Sequence, residues 1–130
     1  MTSNIEIIRE LYAAFEAQGL DRVQELCDPD CVVVQDDALP WGGVHQGFGG
    51  IAAFGAALAG TIYSVVTADA LFEAGDRVIK FGRSRGKVLA NGAEFDMPAV
   101  HVWTICDGRV TAAEFYIDTA AMLDALGQAS

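Results

Sequence analysis

The spacing of apolar residues predicts two helices at the start of the chain. Ser3 and Glu6 form a capping box, and the apolar residues after them recur every three or four positions, which is the helical period. Gly19 ends this first helix, and Asp21 begins a shorter one. Pro29 terminates the second helix, because proline disfavours a helical conformation in the residue before it. The inward face of the first helix is predicted to carry Ile5, Ile8, Leu11, Tyr12 and Phe15.

A strand, a loop and a third helix are predicted next. The run CVVVQ, residues 31–35, is rich in β-branched residues and predicts a strand. The segment DDALPWGGVHQGFGG that follows is rich in glycine and predicts a loop. The third helix is predicted from about Gly49 to Ala59, with Ile51, Phe54 and Leu58 facing inward.

The second half of the chain has the pattern of consecutive strands. They are predicted over residues 61–73, 77–90, 93–106 and 109–118, with turns at 74–76, Asn91-Gly92 and Asp107-Gly108. A short helix capped by Asp118 or Thr119 follows. Strands of this length must twist and curl into a concave sheet. We therefore expect one α+β domain over residues 1–130, a cone in which three N-terminal helices pack into a strongly curved, mostly antiparallel sheet.

The last predicted hairpin supplies the first candidate for chemistry. Counting outwards from a two-residue turn at Asp107-Gly108 places His101 opposite Glu114. A carboxylate beside an imidazole favours the imidazolium form and orients the ring, as a proton-transfer site requires. Trp103 and Tyr116, on the same predicted face, would supply a flat wall and a hydroxyl donor. The alternatives are a satisfied buried pair, or a polar pair on the outer face of the sheet at a dimer interface.

Other positions around the predicted pocket are further candidates, each with a structural alternative. Asp36 and Asp37 end the first strand, where one carboxylate would act as a general base or both would initiate a solvated turn. Trp41 is either a lid over the pocket or an anchor for the third helix. Tyr12 is either a hydrogen-bond donor in the pocket or a core residue. Together with Trp41 and Tyr12, the predicted substrate-binding walls are Phe15, Phe54 and Trp103.

Composition narrows the classes of partner. Eighteen acidic and eight basic residues give a net charge of -10, which argues against nucleic acid and anionic membrane surfaces as partners. Without a long apolar stretch or a signal peptide, we expect a cytoplasmic protein whose three cysteines are reduced. No Cys/His cluster and no nucleotide-binding motif is present in the sequence, so we expect neither a metal nor another cofactor.

Four segments together span nearly the whole chain and carry a family resemblance. They are IIRELYAAFEAQGLDRVQELCDPDCVV, PWGGVHQGFGGIAAF, HVWTICDGRV and YIDTAAMLDAL. These segments, and the order helix, helix, strand, helix, then antiparallel sheet, resemble the nuclear transport factor 2-like superfamily. The resemblance is greatest to its polyketide-cyclase-like (SnoaL-like) and ketosteroid-isomerase-like branches. It implies a cone-shaped fold, and this superfold carries many different activities.

The resemblance also implies roles for some residues. SnoaL-like cyclases use a histidine and an acidic residue on the C-terminal hairpin, a pair that His101 and Glu114 would match. Ketosteroid isomerases place a tyrosine on the first helix, an aspartate base after the first strand and a carboxylic acid on the penultimate strand. The tyrosine position can match Tyr12, although the alignment favours Leu11. The base falls near Gln35, Asp36 or Asp37. The third position falls on Val100 or His101, which departs from the pattern needed for steroid isomerisation.

Three functions from different classes follow from these observations. The first is a cofactor-free enzyme, an isomerase, cyclase or dehydratase that transfers a proton next to the carbonyl group of a small apolar molecule. The second is a small-molecule binding protein of the same fold without turnover. The third is a structural dimer module with a filled cone. Apolar residues on both faces of the last hairpin also predict a homodimer, because the helices cover only one face.

Overall fold

The computed structural model describes residues 3–17 and 19–127, and its centre is one sheet with helices packed against it. The helices are α1 (Asn4–Glu16), α2 (Leu20–Leu26), α3 (Gly47–Thr61) and α4 (Thr119–Ala125). The strands are β1 (Cys27–Gln35), β2 (Gly43–Gln46), β3 (Ile62–Val66), β4 (Ala70–Ala74), β5 (Arg77–Val88), β6 (Glu94–Cys106) and β7 (Arg109–Ile117). Gln18 and the ends of the predicted domain, residues 1–2 and 128–130, lie outside the described residues. No helix in the described part of the chain is long and apolar enough to cross a membrane.

The strands form a seven-stranded sheet in the order β2-β1-β7-β6-β5-β3, and β4 also pairs with β5. Neighbouring strands are antiparallel except β1 and β7, which are parallel. Buried side chains of α1, such as Ile8 and Leu11, share one core with Val78 of β5 and Trp103 of β6. The structure confirms the predicted α+β cone, with three N-terminal helices, a curled and mostly antiparallel sheet and a short C-terminal helix.

The curl of the sheet depends on two glycines in β5. A Cβ atom at Gly82 would lie 1.7 Å from the carbonyl oxygen of Thr67, and one at Gly86 would lie 1.8 Å from that of Tyr63. Both separations are impossible for real atoms, so only glycine allows the backbone of β3 and the residues after it to approach β5 so closely.

Local sequence signals set several boundaries as predicted. Ser3 caps α1, because its Oγ accepts a hydrogen bond from the backbone N–H of Glu6 at 3.2 Å. Asp118 caps α4 in the same way, at 3.0 Å. The hairpin turn is formed by Asp107 (φ 52°) and Gly108 (φ 79°), both in the left-handed conformation that a two-residue turn requires.

Three elements differ from the sequence prediction. β1 begins at Cys27, directly after α2, rather than at Cys31. The predicted loop contains a strand, β2, which pairs with β1, and α3 begins at Gly47. The strand predicted over residues 61–73 is two strands, β3 and β4, because the register against β5 shifts by one residue between Val66, which pairs with Ser84, and Ala70, which pairs with Phe81. Both pair with β5, which is long enough to accommodate them one after the other.

A β-bulge changes the register of the last hairpin. Next to the turn, Ile105 pairs with Val110, as counting from the turn predicts. One step further, Thr104 pairs with Ala112, so Thr111 is the extra residue. The Thr111 hydroxyl donates a hydrogen bond to the carbonyl oxygen of Thr104 at 3.3 Å. One inserted residue moves every later side chain of β7 to the other face of the sheet.

The predicted pairing of His101 with Glu114 is wrong for this reason. His101 pairs with Phe115, and Glu114 pairs with Val102. Because side chains alternate along a strand, His101 and Trp103 face the helices, whereas Glu114 faces the opposite, convex side of the sheet.

Candidate functional site

A tyrosine connects α1 to the sheet. Tyr12 Oη lies 2.8 Å from Nδ1 of His101 and 2.9 Å from Nε1 of Trp103. His101 and Trp103 are two positions apart on β6, so both side chains point towards α1. The rings of Tyr12 and Trp103 meet edge to face, with centroids 5.6 Å apart. These three side chains are called the Tyr12–His101–Trp103 cluster below.

Burial keeps this cluster uncharged. It lowers the pKa of His101 to about 3, and the positive charge of Lys80 acts in the same direction. Burial also raises the pKa of Tyr12, which the hydrogen bond from Trp103 only partly opposes. At neutral pH the cluster therefore contains a neutral imidazole and a protonated phenol.

The hydrogen bonds leave particular atoms available to a ligand. The indole N–H of Trp103 can only donate, so Tyr12 Oη is its acceptor. Where Nδ1–H of His101 also donates to Oη, the Tyr12 proton points to a third partner and Nε2 carries a free lone pair. Where Tyr12 donates to Nδ1 instead, Nε2 carries the proton. In both arrangements Nε2 is the ring nitrogen that is free of the cluster.

Lys80 is a buried cation beside the cluster. It pairs directly with His101 across β5 and β6, and it is only 3% exposed. Its Nζ lies 4.2 Å from the centroid of the Tyr12 ring, over the ring face. Burial lowers the pKa of Lys80, and the carboxylate of Asp69 opposes that shift.

Lys80 and Tyr12 line a cleft between α1 and the segment of residues 66–71, called the β3–β4 segment below. Its volume is about 440 Å³, within the range of small-molecule pockets. The other lining residues are Arg9 and Glu16 of α1, Val66, and residues 68–71. The cleft therefore combines an apolar wall with charged groups, of which Lys80 is the buried one.

Aromatic rings continue from the cluster towards α3. The centroid of the His101 imidazole lies 4.6 Å from that of Phe115, and Phe115 lies 5.8 Å from Phe54 of α3. Phe54 is 7% exposed and Trp103 is 5% exposed. The structure thus places these two predicted wall residues on the inner side of the sheet.

Glu114 and Tyr116 lie away from the cluster, on the convex face. The Tyr116 hydroxyl donates a hydrogen bond to Glu114 Oε1 at 3.0 Å, and this bond raises the pKa of Tyr116. Tyr116 is 53% exposed. The bulge at Thr111 separates both residues from His101. They form a polar pair on the outer face, and His101, the partner predicted for Glu114, is not part of it.

Asp36, Asp37 and Trp41, the candidates after the first strand, have structural roles instead. Asp36 and Asp37 are exposed, and Asp36 Oδ1 accepts a hydrogen bond at 2.9 Å from a backbone N–H two residues on, as in a turn. Trp41 is 1% exposed, and its Nε1 donates to Gln35 Oε1 at 2.9 Å. Trp41 therefore anchors the loop to β1, and the structure does not bring it or the two aspartates to His101.

Phe15 is also outside the cluster. The buried side of α1 runs through Ile7, Leu11 and Ala14, which places Phe15 at the edge of that stripe. Phe15 is 46% exposed, so the predicted inward position of its ring is wrong.

Lys80 is not among the residues predicted for the site, although the sequence contains a signal for it. Along β5 the cations Arg83, Arg85 and Lys87 are two positions apart, as expected for one face of a strand. Lys80 falls on the other face, with the fully buried Val78. A cation out of phase with the polar face of a long strand is therefore the pattern that identifies it.

Titratable groups elsewhere do not converge on a metal. Within residues 3–17 and 19–127, no three His, Cys, Asp or Glu side chains are arranged to hold one. The three cysteines are free, with Cys27 and Cys31 buried and Cys106 exposed. Burial raises the pKa of Cys27 to about 12, so this thiol is inert at neutral pH.

Comparisons with known proteins agree with this fold. The family model of the SnoaL-like domain matches residues 8–113. An NTF2-like protein from Burkholderia pseudomallei is 28% identical, with a TM-score of 0.86 over 97% of this chain and 98% of that one. TerC, co-crystallised with polyporic acid, is also 28% identical, with a TM-score of 0.85 over 96% of this chain and 98% of its own.

A more distant structure has the same fold. It is a protein from Catenulispora acidiphila with a ketosteroid isomerase-like fold, solved in complex with trimethylamine. Its identity is 20% and its TM-score 0.77, over 98% of this chain and 96% of that one, so the likeness concerns the fold alone. No curated protein matches the chain.

Proposed function

Because the chain belongs to the family of SnoaL-like domains, we propose that it is a cofactor-free enzyme for proton transfer next to a carbonyl group. The substrate would be a small, mostly apolar molecule bound inside the cone. The observation that carries the proposal is the Tyr12–His101–Trp103 cluster, with its distances of 2.8 and 2.9 Å. General acid–base catalysis needs an unprotonated group that can accept the proton and a donor placed for the charge that develops. His101 and Tyr12 would supply these two groups.

In the proposed reaction, Nε2 of His101 accepts a proton from the carbon next to the carbonyl. The electron pair of that C–H bond forms a carbon–carbon double bond, and the carbonyl π electrons move to oxygen, which gives an enolate. Nδ1–H of the new imidazolium and Nε1–H of Trp103 both donate to Tyr12 Oη, whose own proton is then directed at the enolate oxygen. Return of the proton to the same carbon, or to another one, completes exchange or isomerisation.

The low pKa of His101 is compatible with this role. An imidazole with a pKa of about 3 is unprotonated at neutral pH, but it is a weaker base than one whose pKa lies near the working pH, so its basicity must rise as the enolate charge develops. The imidazolium is disfavoured by burial and by Lys80 until the enolate forms and supplies a negative charge. The attraction between the imidazolium and the enolate thus arises only during the reaction. It therefore increases the rate rather than the affinity for the substrate.

Deuterium exchange measures this step without knowledge of the final product. In D₂O, the wild type should accelerate deuterium incorporation next to the carbonyl of at least one compound in a panel of ketones and polyketide-like carbonyl compounds. His101→Gln should lower that rate about 10²–10⁴-fold, the usual contribution of a general base. Glu114→Gln should leave the rate within about twofold, because the bulge places Glu114 on the other face. An equal loss in both variants would contradict the proposal.

The same experiment tests the binding-protein function. If no compound exchanges faster with the wild type, yet some of them bind, the protein is a small-molecule binding protein without turnover. Co-crystallisation of the relative TerC with polyporic acid supports a small organic acid as the ligand in either case.

We also propose that the protein is a homodimer through its convex face. Phe81, Val100 and Tyr116 occupy neighbouring positions there on β5, β6 and β7. Phe81 is 44% exposed and Tyr116 is 53% exposed, so an apolar row faces outwards. A second copy related by a two-fold axis would cover this row. Light scattering at micromolar concentration should give twice the chain mass of 13.8 kDa, and a particle of 13.8 kDa would refute the dimer.

We also propose that the protein is cytoplasmic. The three cysteines are free thiols, and Cys106 is exposed beside the last hairpin turn. Exposed free thiols are typical of proteins from reducing compartments.

A further inference from the structure

Lys80 is a buried cation that forms no ion pair with a described carboxylate. The proposed proton transfer does not require a cation at this position. It is 3% exposed, and its ammonium group rests on the face of the Tyr12 ring at 4.2 Å. In the described part of the chain, the ion pairs involve Arg22, Arg83 and Arg85 but not Lys80. Burying an ammonium group without a counter-ion is unfavourable. A ligand that brings a negative charge would remove that cost.

The charges around Lys80 leave its end of the cleft positive. Arg9, Glu16 and Asp69 line the same cleft, but all three are exposed at the rim, where water screens them. His101, which faces Lys80 from β6, is neutral. The buried end therefore has one positive charge, and the rim has charges of both signs.

The walls of the cleft suit an apolar body next to that charge. The Tyr12 ring lies on one side, and Val66, Ala70 and Leu71 lie on the other. A volume of about 440 Å³ accommodates a molecule of one or two rings. A ligand that fills this space would have its charged end at Lys80 and its apolar part between α1 and the β3–β4 segment.

We propose that this cleft binds the carboxylate of a small apolar carboxylic acid, with one carboxylate oxygen hydrogen-bonded to Nζ of Lys80. The inference rests on the proposed function in that a single ligand would present its carboxylate to Lys80 and extend its carbonyl group past the cleft lining to His101, which pairs with Lys80 on the next strand. The substrate of the proposed proton transfer would then be an apolar oxo acid, a molecule with both a carboxylate and a carbonyl group. Lys80 is thus a substrate-binding residue, and binding alone tests its role.

The test compares 2-naphthoate with its neutral analogue 2-naphthamide by isothermal titration calorimetry at pH 7. The wild type should bind the carboxylate about tenfold or more tightly than the amide, because a hydrogen bond to a charged group contributes about 1.5–3 kcal/mol. Lys80→Met should remove this preference. Lys87→Met is the matched control, because Lys87 lies on the same strand but on its exposed face, and it should keep the preference.

A second measurement does not depend on replacing Lys80. The chain has two lysines, so the Lys87→Met protein labelled with ¹³C-lysine shows the signals of Lys80 alone. Titration with 2-naphthoate should shift the ε-methylene signal of Lys80, and titration with 2-naphthamide should not.

Three outcomes would overturn the inference. They are undetectable binding of 2-naphthoate by the wild type at millimolar concentration, equal binding of the two probes, and a preference that survives in Lys80→Met. None of these depends on deuterium exchange. A wild type that accelerates exchange but binds the two probes equally would refute the role of Lys80 alone. A wild type that prefers the carboxylate but does not accelerate exchange would refute the proton transfer alone.

Discussion

The buried imidazole of His101 makes a quantitative prediction about stability at acidic pH. In the unfolded chain the pKa of a histidine is about 6.5, whereas in the folded protein the pKa of His101 is about 3. As the pH falls below 6.5, the unfolded state binds a proton that the folded state does not, so the free energy of unfolding decreases. The loss runs from pH 6.5 down to about pH 3.

The size of this effect follows from the pKa shift. Each pH unit within that window costs about 1.4 kcal/mol, so His101 should lower the free energy of unfolding by about 2 kcal/mol between pH 7 and pH 5. Carboxylates also titrate in acid, and a variant isolates the part that belongs to His101. His101→Gln keeps a polar side chain of similar size that does not titrate.

Urea unfolding at pH 7 and pH 5 measures the difference. For each protein the free energy of unfolding at pH 5 is subtracted from that at pH 7. This decrease should be about 2 kcal/mol smaller in His101→Gln than in the wild type. His45→Gln is the matched control, because His45 is the other histidine and is partly exposed; its decrease should resemble that of the wild type. Equal decreases in His101→Gln and the wild type would show that His101 titrates normally in the folded protein, and the buried cluster would then be wrong.

Two further predictions concern the cluster and the curvature of the sheet. Tyr12→Phe should lower the free energy of unfolding by about 1–3 kcal/mol in urea denaturation, because it leaves the buried indole N–H of Trp103 without an acceptor. The control is Tyr63→Phe, at a position that is 59% exposed, which should change the free energy of unfolding by less than about 0.5 kcal/mol. Gly86→Ala should cost about 1–3 kcal/mol or more, because its Cβ would collide with the carbonyl oxygen of Tyr63. Gly55→Ala on α3, with no atom within 4 Å of the new Cβ, should instead be neutral or stabilising in thermal unfolding. A Gly86→Ala protein as stable as the wild type would mean that β3 does not approach β5 as described.

Those parts of the fold that depend on local chemistry could be predicted from the sequence. The Ser3 cap and the turn at Asp107-Gly108 are decided by a few neighbouring residues, and both are found where the sequence places them. The break between β3 and β4 was not predicted, because it depends on pairing with β5 and on the glycines there rather than on the residues of the break.

The candidate site was predicted only in part, for a related reason. Tyr12, His101 and Trp103 were identified, since an inward tyrosine and alternate residues of a strand follow from periodicity. The bulge at Thr111 has no such signature, because threonine is an ordinary strand residue. That single residue decides that Glu114 is outside the cone.

The position of Tyr12 in the chain has a consequence for the order of folding. Its two hydrogen bonds join residues that are 89 and 91 positions apart in sequence. Between Tyr12 and these partners lie two helices and the first five strands. Contacts of such long range close large loops, which is entropically costly and slow in proteins rich in non-local strand pairing. The cluster should therefore form only as the topology is completed. In a partly folded chain, Trp103 should fluoresce as a solvent-exposed tryptophan, and proton-transfer activity should be absent.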